Sequence, residues 1–103
     1  MNQFTLIGTI KGDTSIKFTS ANVPYVNLTI ENERVNPNGD LVIEEFATLL
    51  YGNNVDYYKD IIREDDFVYI KGHLKDNNYL KDGGEILYKV DLIIDRIYVI
   101  NKK

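Results

Sequence analysis

Apolar side chains recur at every second position in this chain, in separate runs broken by turn residues. A period of two is the repeat of a strand, whose successive side chains point to opposite faces; a helix repeats near 3.6. Over residues 2–11, Phe4, Leu6 and Ile10 alternate with Thr5, Ile7 and Thr9. Gly8 interrupts this run, as glycine does where a strand bulges or bends tightly. Gly12-Asp13 reads as a turn, and residues 14–19 as a short strand closed by Ser20-Ala21-Asn22. Residues 23–34 alternate again, with Val26, Leu28 and Ile30 on one face and Tyr25, Asn27, Thr29 and Glu31 on the other. Val35-Asn36-Pro37-Asn38-Gly39-Asp40 has the chemistry of a hairpin loop. Residues 41–51 form the returning strand. Val42, Glu44, Phe46, Thr48 and Leu50 take one side, which makes Phe46 core, and Leu41, Ile43, Glu45, Ala47, Leu49 and Tyr51 take the other.

Helical spacing occurs once. Asn53 or Asn54 can cap a short helix, and Val55, Tyr58 and Ile62 then fall at i, i+3 and i+7, up to the charged run Arg63-Glu64-Asp65-Asp66. Alternation resumes at Phe67. Val68, Ile70, Gly72 and Leu74 face one way, and Phe67, Tyr69, Lys71, His73 and Lys75 the other. Residues 76–84, polar and containing Gly83-Gly84, predict a loop, and residues 85–100 one long, bent final strand. The expectation is a single all-β domain over residues 1–103. It is a five-stranded antiparallel Greek-key barrel with one short helix between strands three and four, the order of the oligonucleotide/oligosaccharide-binding (OB) fold.

Charge and chemistry narrow the function. Twelve Lys and Arg stand against 16 Asp and Glu, a net charge of −4, which excludes coating duplex DNA by bulk charge but leaves room for a local basic groove. Residues 53–66 carry five carboxylates and two cations, so most of the excess negative charge is local to the helix region. With no cysteine, disulfides, thiolate zinc sites and cysteine nucleophiles are excluded. His73 is the only histidine and has no partners at metal-ligand spacing. Glu44 and Glu45 are adjacent on a strand and point to opposite faces, so they cannot share an acid–base site. Gly83-Gly84 has no phosphate-loop context. No catalytic residue, metal site or cofactor is therefore expected. No apolar stretch approaches the roughly 18 residues of a membrane span, and the N-terminus does not read as a secretory signal; a cytoplasmic, non-membrane protein is expected.

Four segments taken together resemble a known family. Met1-Asn2-Gln3-Phe4-Thr5-Leu6-Ile7-Gly8, Val23-Pro24-Tyr25-Val26-Asn27-Leu28-Thr29-Ile30, Thr48-Leu49-Leu50-Tyr51-Gly52 and Asp66-Phe67-Val68-Tyr69-Ile70-Lys71-Gly72-His73-Leu74 resemble, in order, successive strands of bacterial single-stranded DNA-binding proteins. The resemblance implies an OB-fold that binds single-stranded DNA without catalysis, as a homo-oligomer, usually a tetramer, with a dimer as the smaller option. It also implies replication or recombination proteins as partners. Aromatic side chains stack on bases and cations contact phosphates, with stacking worth about 1–3 kcal/mol per base. Tyr51, before Gly52, and Tyr79, in the loop after the fourth strand, stand where the family places stacking aromatics. Lys75 and Lys81 bracket Tyr79; Arg34, Lys71 and Lys17 are further candidate phosphate contacts.

The departures from the family are also specific. Glu45 stands where the family commonly has an aromatic residue and Ala47 where it often has a basic one. The chain has no tryptophan. The family's Gly/Pro-rich linker and acidic C-terminal peptide do not occur within these residues. These departures support a second reading, a protein-interaction module of the replication-restart accessory type that keeps the barrel with weak or lost DNA affinity.

Overall fold

The computed structural model describes Met1–Lys103. Its strands are β1 (Phe4–Lys11), β2 (Lys17–Phe18), β3 (Pro24–Val35), β4 (Leu41–Tyr51), β5 (Phe67–Asp76), β6 (Tyr79–Leu80), β7 (Ile86–Leu87) and β8 (Val90–Asn101), with one helix, α1 (Asn53–Tyr58), between β4 and β5. No helix is long and apolar enough to cross a membrane. The five long strands are the five expected ones. They pair in the order β1-β5-β8-β4-β3, and β3 returns to β1, so the sheet closes into a ring.

The expected all-antiparallel pairing needs one correction. β4 and β8 run parallel, with Thr48 beside Leu92 and Leu49 beside Ile93. The reason is parity: strands that alternate in direction cannot close a ring of odd number, so one adjacent pair must share a direction. Two further corrections concern the segment after β5. The expected loop at 76–84 contains β6, which pairs with β7 in a two-stranded hairpin, and the expected single strand at 85–100 is split into β7 and β8. The hairpin is continuous with the β5–β8 ladder: Asp76 pairs with Val90, and the Asn77 N–H donates to the Lys89 carbonyl at 2.9 Å.

The inward faces match the alternation. Ile10, Val26, Leu28, Ile30, Leu50, Val68, Ile70, Ile94 and Ile97 form the buried core, joined by Val55, Tyr58 and Ile62 from the helix region. The Tyr58 hydroxyl accepts the Ile97 N–H at 3.1 Å and ties α1 to β8. Burying each such side chain contributes about 1.5–3 kcal/mol. Phe46, expected in the core, is only half-buried, and Leu74, on the inward face of β5, is exposed. Both lie where a strand runs on past the barrel, into the β3–β4 ribbon and the β6–β7 arm respectively. The helix cap also differs from expectation. Gly52 is the N-cap, with no side-chain cap, and Asn53 and Asn54 lie inside the helix. Asn54 instead donates its amide to the Ile94 carbonyl at 3.3 Å.

Two glycines hold the ring closed by what they lack. A Cβ on Gly8 would stand 2.3 Å from the Glu31 carbonyl oxygen. One on Gly72 would stand 2.0 Å from the Ile93 carbonyl oxygen and 2.5 Å from the Phe4 ring. Gly72 also follows the irregularity at Lys71/Gly72 in the β5–β8 register, where the sheet bends.

At the end of the α1–β5 connection, the carboxylate of Asp66 is 1% exposed. It accepts Lys102 Nζ at 2.8 Å, the Lys103 N–H at 3.1 Å and the Arg63 N–H at 2.9 Å. Burial pushes its pKa up, but these hydrogen bonds and the Lys102 charge outweigh burial and hold it below the ordinary value of 3.8. Asp66 thus ties the C-terminal strand to the chain leaving the helix.

Gly72→Ala should destabilise the fold by about 1–3 kcal/mol or more, read as a lower urea midpoint. Asp66→Asn should cost about 1–3 kcal/mol at neutral pH, since the groups that donate to it lose a charged acceptor. A carboxylate with a depressed folded pKa stabilises above its unfolded value and ceases to do so as pH falls through the folded one. The stability gap between Asp66→Asn and wild type should therefore close as pH drops below about 3.8 in pH-resolved denaturation curves.

Candidate nucleic-acid interface

The outward face of the β2–β3–β4 sheet presents a row of three neighbours. Lys17 pairs with Tyr25, and Tyr25 pairs with Tyr51. Directly opposed residues on adjacent strands have Cβ atoms about 4.5–5.5 Å apart, so a cation and two phenol rings lie side by side across three strands. Tyr51 is 46% exposed and Tyr25 half-buried, leaving ring surface open to a ligand. Further along the same face, Asn27 pairs with Leu49 and Thr29 with Ala47. Beside them runs a shallow groove of ≈ 240 Å³, floored by Asn27, Ala47 and Leu49 and walled by Val90, Asp91 and Leu92.

The second aromatic group stands on the β6–β7 arm. Tyr79 is 47% exposed, and the ammonium of Lys89 lies 5.6 Å from the centre of its ring. A cation at that distance is attracted by the face of the ring. Lys75 and Lys81 are exposed on the same segment, Lys75 opposite Asp91 in the ladder. Because β8 runs parallel to β4, with Leu92 beside Thr48, the arm that precedes it projects back along β4, away from Tyr51. Five residues from Leu92 to Leu87 and three from Thr48 to Tyr51 separate the two aromatic groups, roughly 26 Å of strand. The groove lies between them.

The remaining expected residues do not join this line. Arg34 pairs with Val42 in the β3–β4 ribbon, on the face opposite to that of Tyr51, and its guanidinium is bonded to Glu44. Lys71 lies around the barrel between Thr5 and Arg96. Its neighbour His73 is bonded to Asp95 at 3.0 Å. The largest concavity, ≈ 640 Å³ between α1 and β8, includes Tyr57, Ile61 and Arg96 and lies apart from the Tyr51 row.

Of two further residues of the site, Tyr25 is left open by the sequence between stacking on a base and packing between subunits, and Lys89 is missed. Tyr25 was visible as an outward strand tyrosine, but nothing local separates a stacking ring from a packing one. Lys89 carried no signal, because only the β6–β7 hairpin returns it to Tyr79. Glu45 and Ala47 are where the alternation put them, on the outer face. Ala47 floors the groove, and Glu45 stands directly opposite Glu31.

The sequence profile of the Single-strand binding protein family matches residues 1–100. A chain matched over this span is one of that family's barrels, and the protein belongs to the Single-strand binding protein family. No curated relative matches the sequence. Among solved structures, the fold is similar to that of the mitochondrial single-stranded DNA-binding protein Rim1 of S. cerevisiae. The TM-score is 0.71 at 17% identity, over 98% of this chain and 96% of that one.

Proposed function

We propose that this protein binds single-stranded DNA along the path from the Lys17–Tyr25–Tyr51 row, through the groove beside Ala47, to the Tyr79–Lys89 arm. The observation that carries the reading is the row itself, a lysine and two tyrosines brought side by side from three strands in a chain of this family. Tyr51 and Tyr79 stack bases, with Tyr25 beside Tyr51. Lys17, Lys75, Lys81 and Lys89 hold phosphates. Arg34 and Lys71 lie off this path. Preference among bases is weak, because every base has a face to stack. The protein acts as a coat rather than an enzyme, covering exposed strands during replication, recombination or repair.

Self-association fits the opposite side of the barrel. There Ile7, Tyr69 and Tyr98 form one cross-strand row over β1, β5 and β8, with the tyrosine rings 5.9 Å apart and Phe67 and Ile100 exposed nearby. An apolar band on the wall away from Tyr51 lets copies join while leaving the DNA path open. We take a homotetramer as the favoured assembly and a dimer as the alternative.

Titration against labelled oligo-dT and a matched duplex tests the binding. The expected outcome is tight binding of the single strand, little of the duplex, and a log–log salt slope of roughly −3 if four lysines each contact a phosphate. Tyr51→Ala/Tyr79→Ala should lose about 2–6 kcal/mol of affinity while remaining folded. An unchanged affinity removes these rings from the site, and no binding by the wild type favours the interaction-module reading. Sedimentation should show more than one chain per particle, and Ile7→Glu/Tyr98→Glu should shift the mass toward a single chain. A monomeric wild type sinks the assembly reading.

A further inference from the structure

Along the outer face of β3 and β4, the row that begins with Tyr25 and Tyr51 ends in carboxylates. Glu31 and Glu45 are directly opposed across the ladder, and Glu33 follows opposite Ile43 on the same face. Like charges placed directly opposite each other destabilise a sheet. None of the three takes part in an ion pair, whereas Glu44, on the back of the same ribbon, is bonded to Arg34. Lys11 feels the charge of Glu31, but its ammonium is bonded to Asp65 at 3.0 Å. The ribbon is thus neutralised behind and left charged in front.

We propose that Glu31, Glu33 and Glu45 form a barrier that ends the DNA path at Ala47 and keeps the strand off the β3–β4 ribbon. This rests on the DNA-binding reading above and adds what limits it. A phosphate that leaves the groove floor at Ala47 toward the ribbon next meets Glu45, two residues along the same strand face. Two like charges about 7 Å apart in water repel enough to change an equilibrium roughly threefold, and the effect is lost when salt shortens the screening length below that distance. The barrier therefore sets how many nucleotides one chain covers.

The test compares wild type with Glu45→Gln and Glu31→Gln/Glu45→Gln on oligo-dT of graded length. Asp60→Asn, at an exposed carboxylate beyond the helix with no ion pair, makes the same change in net charge as Glu45→Gln but away from this face. At low salt the single variant should bind roughly threefold and the double variant roughly tenfold more tightly, with the gain gone by about 0.5 M salt. The shortest oligonucleotide that gives full affinity should become longer, while Asp60→Asn leaves that length unchanged. Thermal unfolding confirms that each variant is folded. Unchanged length and affinity in the double variant, with wild-type binding still dependent on Tyr51, overturns the barrier alone. Gains equal to those of Asp60→Asn reduce the effect to net charge and overturn it too. A wild type that binds no single strand overturns the DNA reading, and the barrier with it.

Discussion

Five strands cannot alternate in direction around a closed ring, and the position of the one parallel pair shapes the rest of this molecule. The pair falls between β4 and β8. A parallel pair cannot be joined by a tight turn, so the chain between β4 and β8 must cross the barrel. It does so through α1, whose Val55 and Tyr58 pack into the core, and through β5, which threads between β1 and β8. The same pairing sets Leu92 beside Thr48 and sends the β6–β7 arm back along β4. A groove opens between the first residues of β8 and the β3–β4 sheet, where the parallel ladder is short.

Closure also demands close backbone contact at two places, and both are glycines. The Glu31 carbonyl fills the space where Gly8 would carry a Cβ, and the Ile93 carbonyl does so at Gly72. The C-terminal strand is then held by a buried charge rather than by apolar packing alone. Asp66 draws Lys102 and the backbone of Lys103 onto the chain that leaves the helix. Much of the acidity of residues 53–66 is spent in this way: Asp65 on Lys11, Asp66 on Lys102, and Glu64 on the Gly12 N–H at 2.7 Å. Glu31 and Glu45, opposed on the front of the β3–β4 ribbon, have no such partner. A net charge of −4 is compatible with a local basic surface, because net charge does not fix where the cations stand.

Particular residues show how far the sequence could be read. Val26, Leu28 and Ile30 announced a strand and its inner face, since a one-residue slip would have turned all three to solvent. Tyr51 was placed outward by the same alternation, and the ordered segments pointed to the family. Alternation does not say where a strand leaves the barrel, so Phe46 and Leu74 read as core and are not. Asn53 and Asn54 have cap chemistry, yet Gly52 is the cap, because β4 passes directly into α1 and Gly52 donates its N–H to the Pro24 carbonyl at 2.9 Å. Arg34 looked like a phosphate ligand until Glu44, ten residues away across the hairpin, came to face it.

The sequence by itself determined the five long strands in outline, the helix between the third and fourth, the facing of the first four and the absence of cysteine. These are matters of local periodicity and of which side chains exist. Only the tertiary structure decided that Lys17, Tyr25 and Tyr51 are neighbours, that Lys89 lies over Tyr79 and that Glu31 faces Glu45. Each of these is a contact between strands, set by register. Register follows from burying all the inner faces in one core at once, a condition no single segment contains.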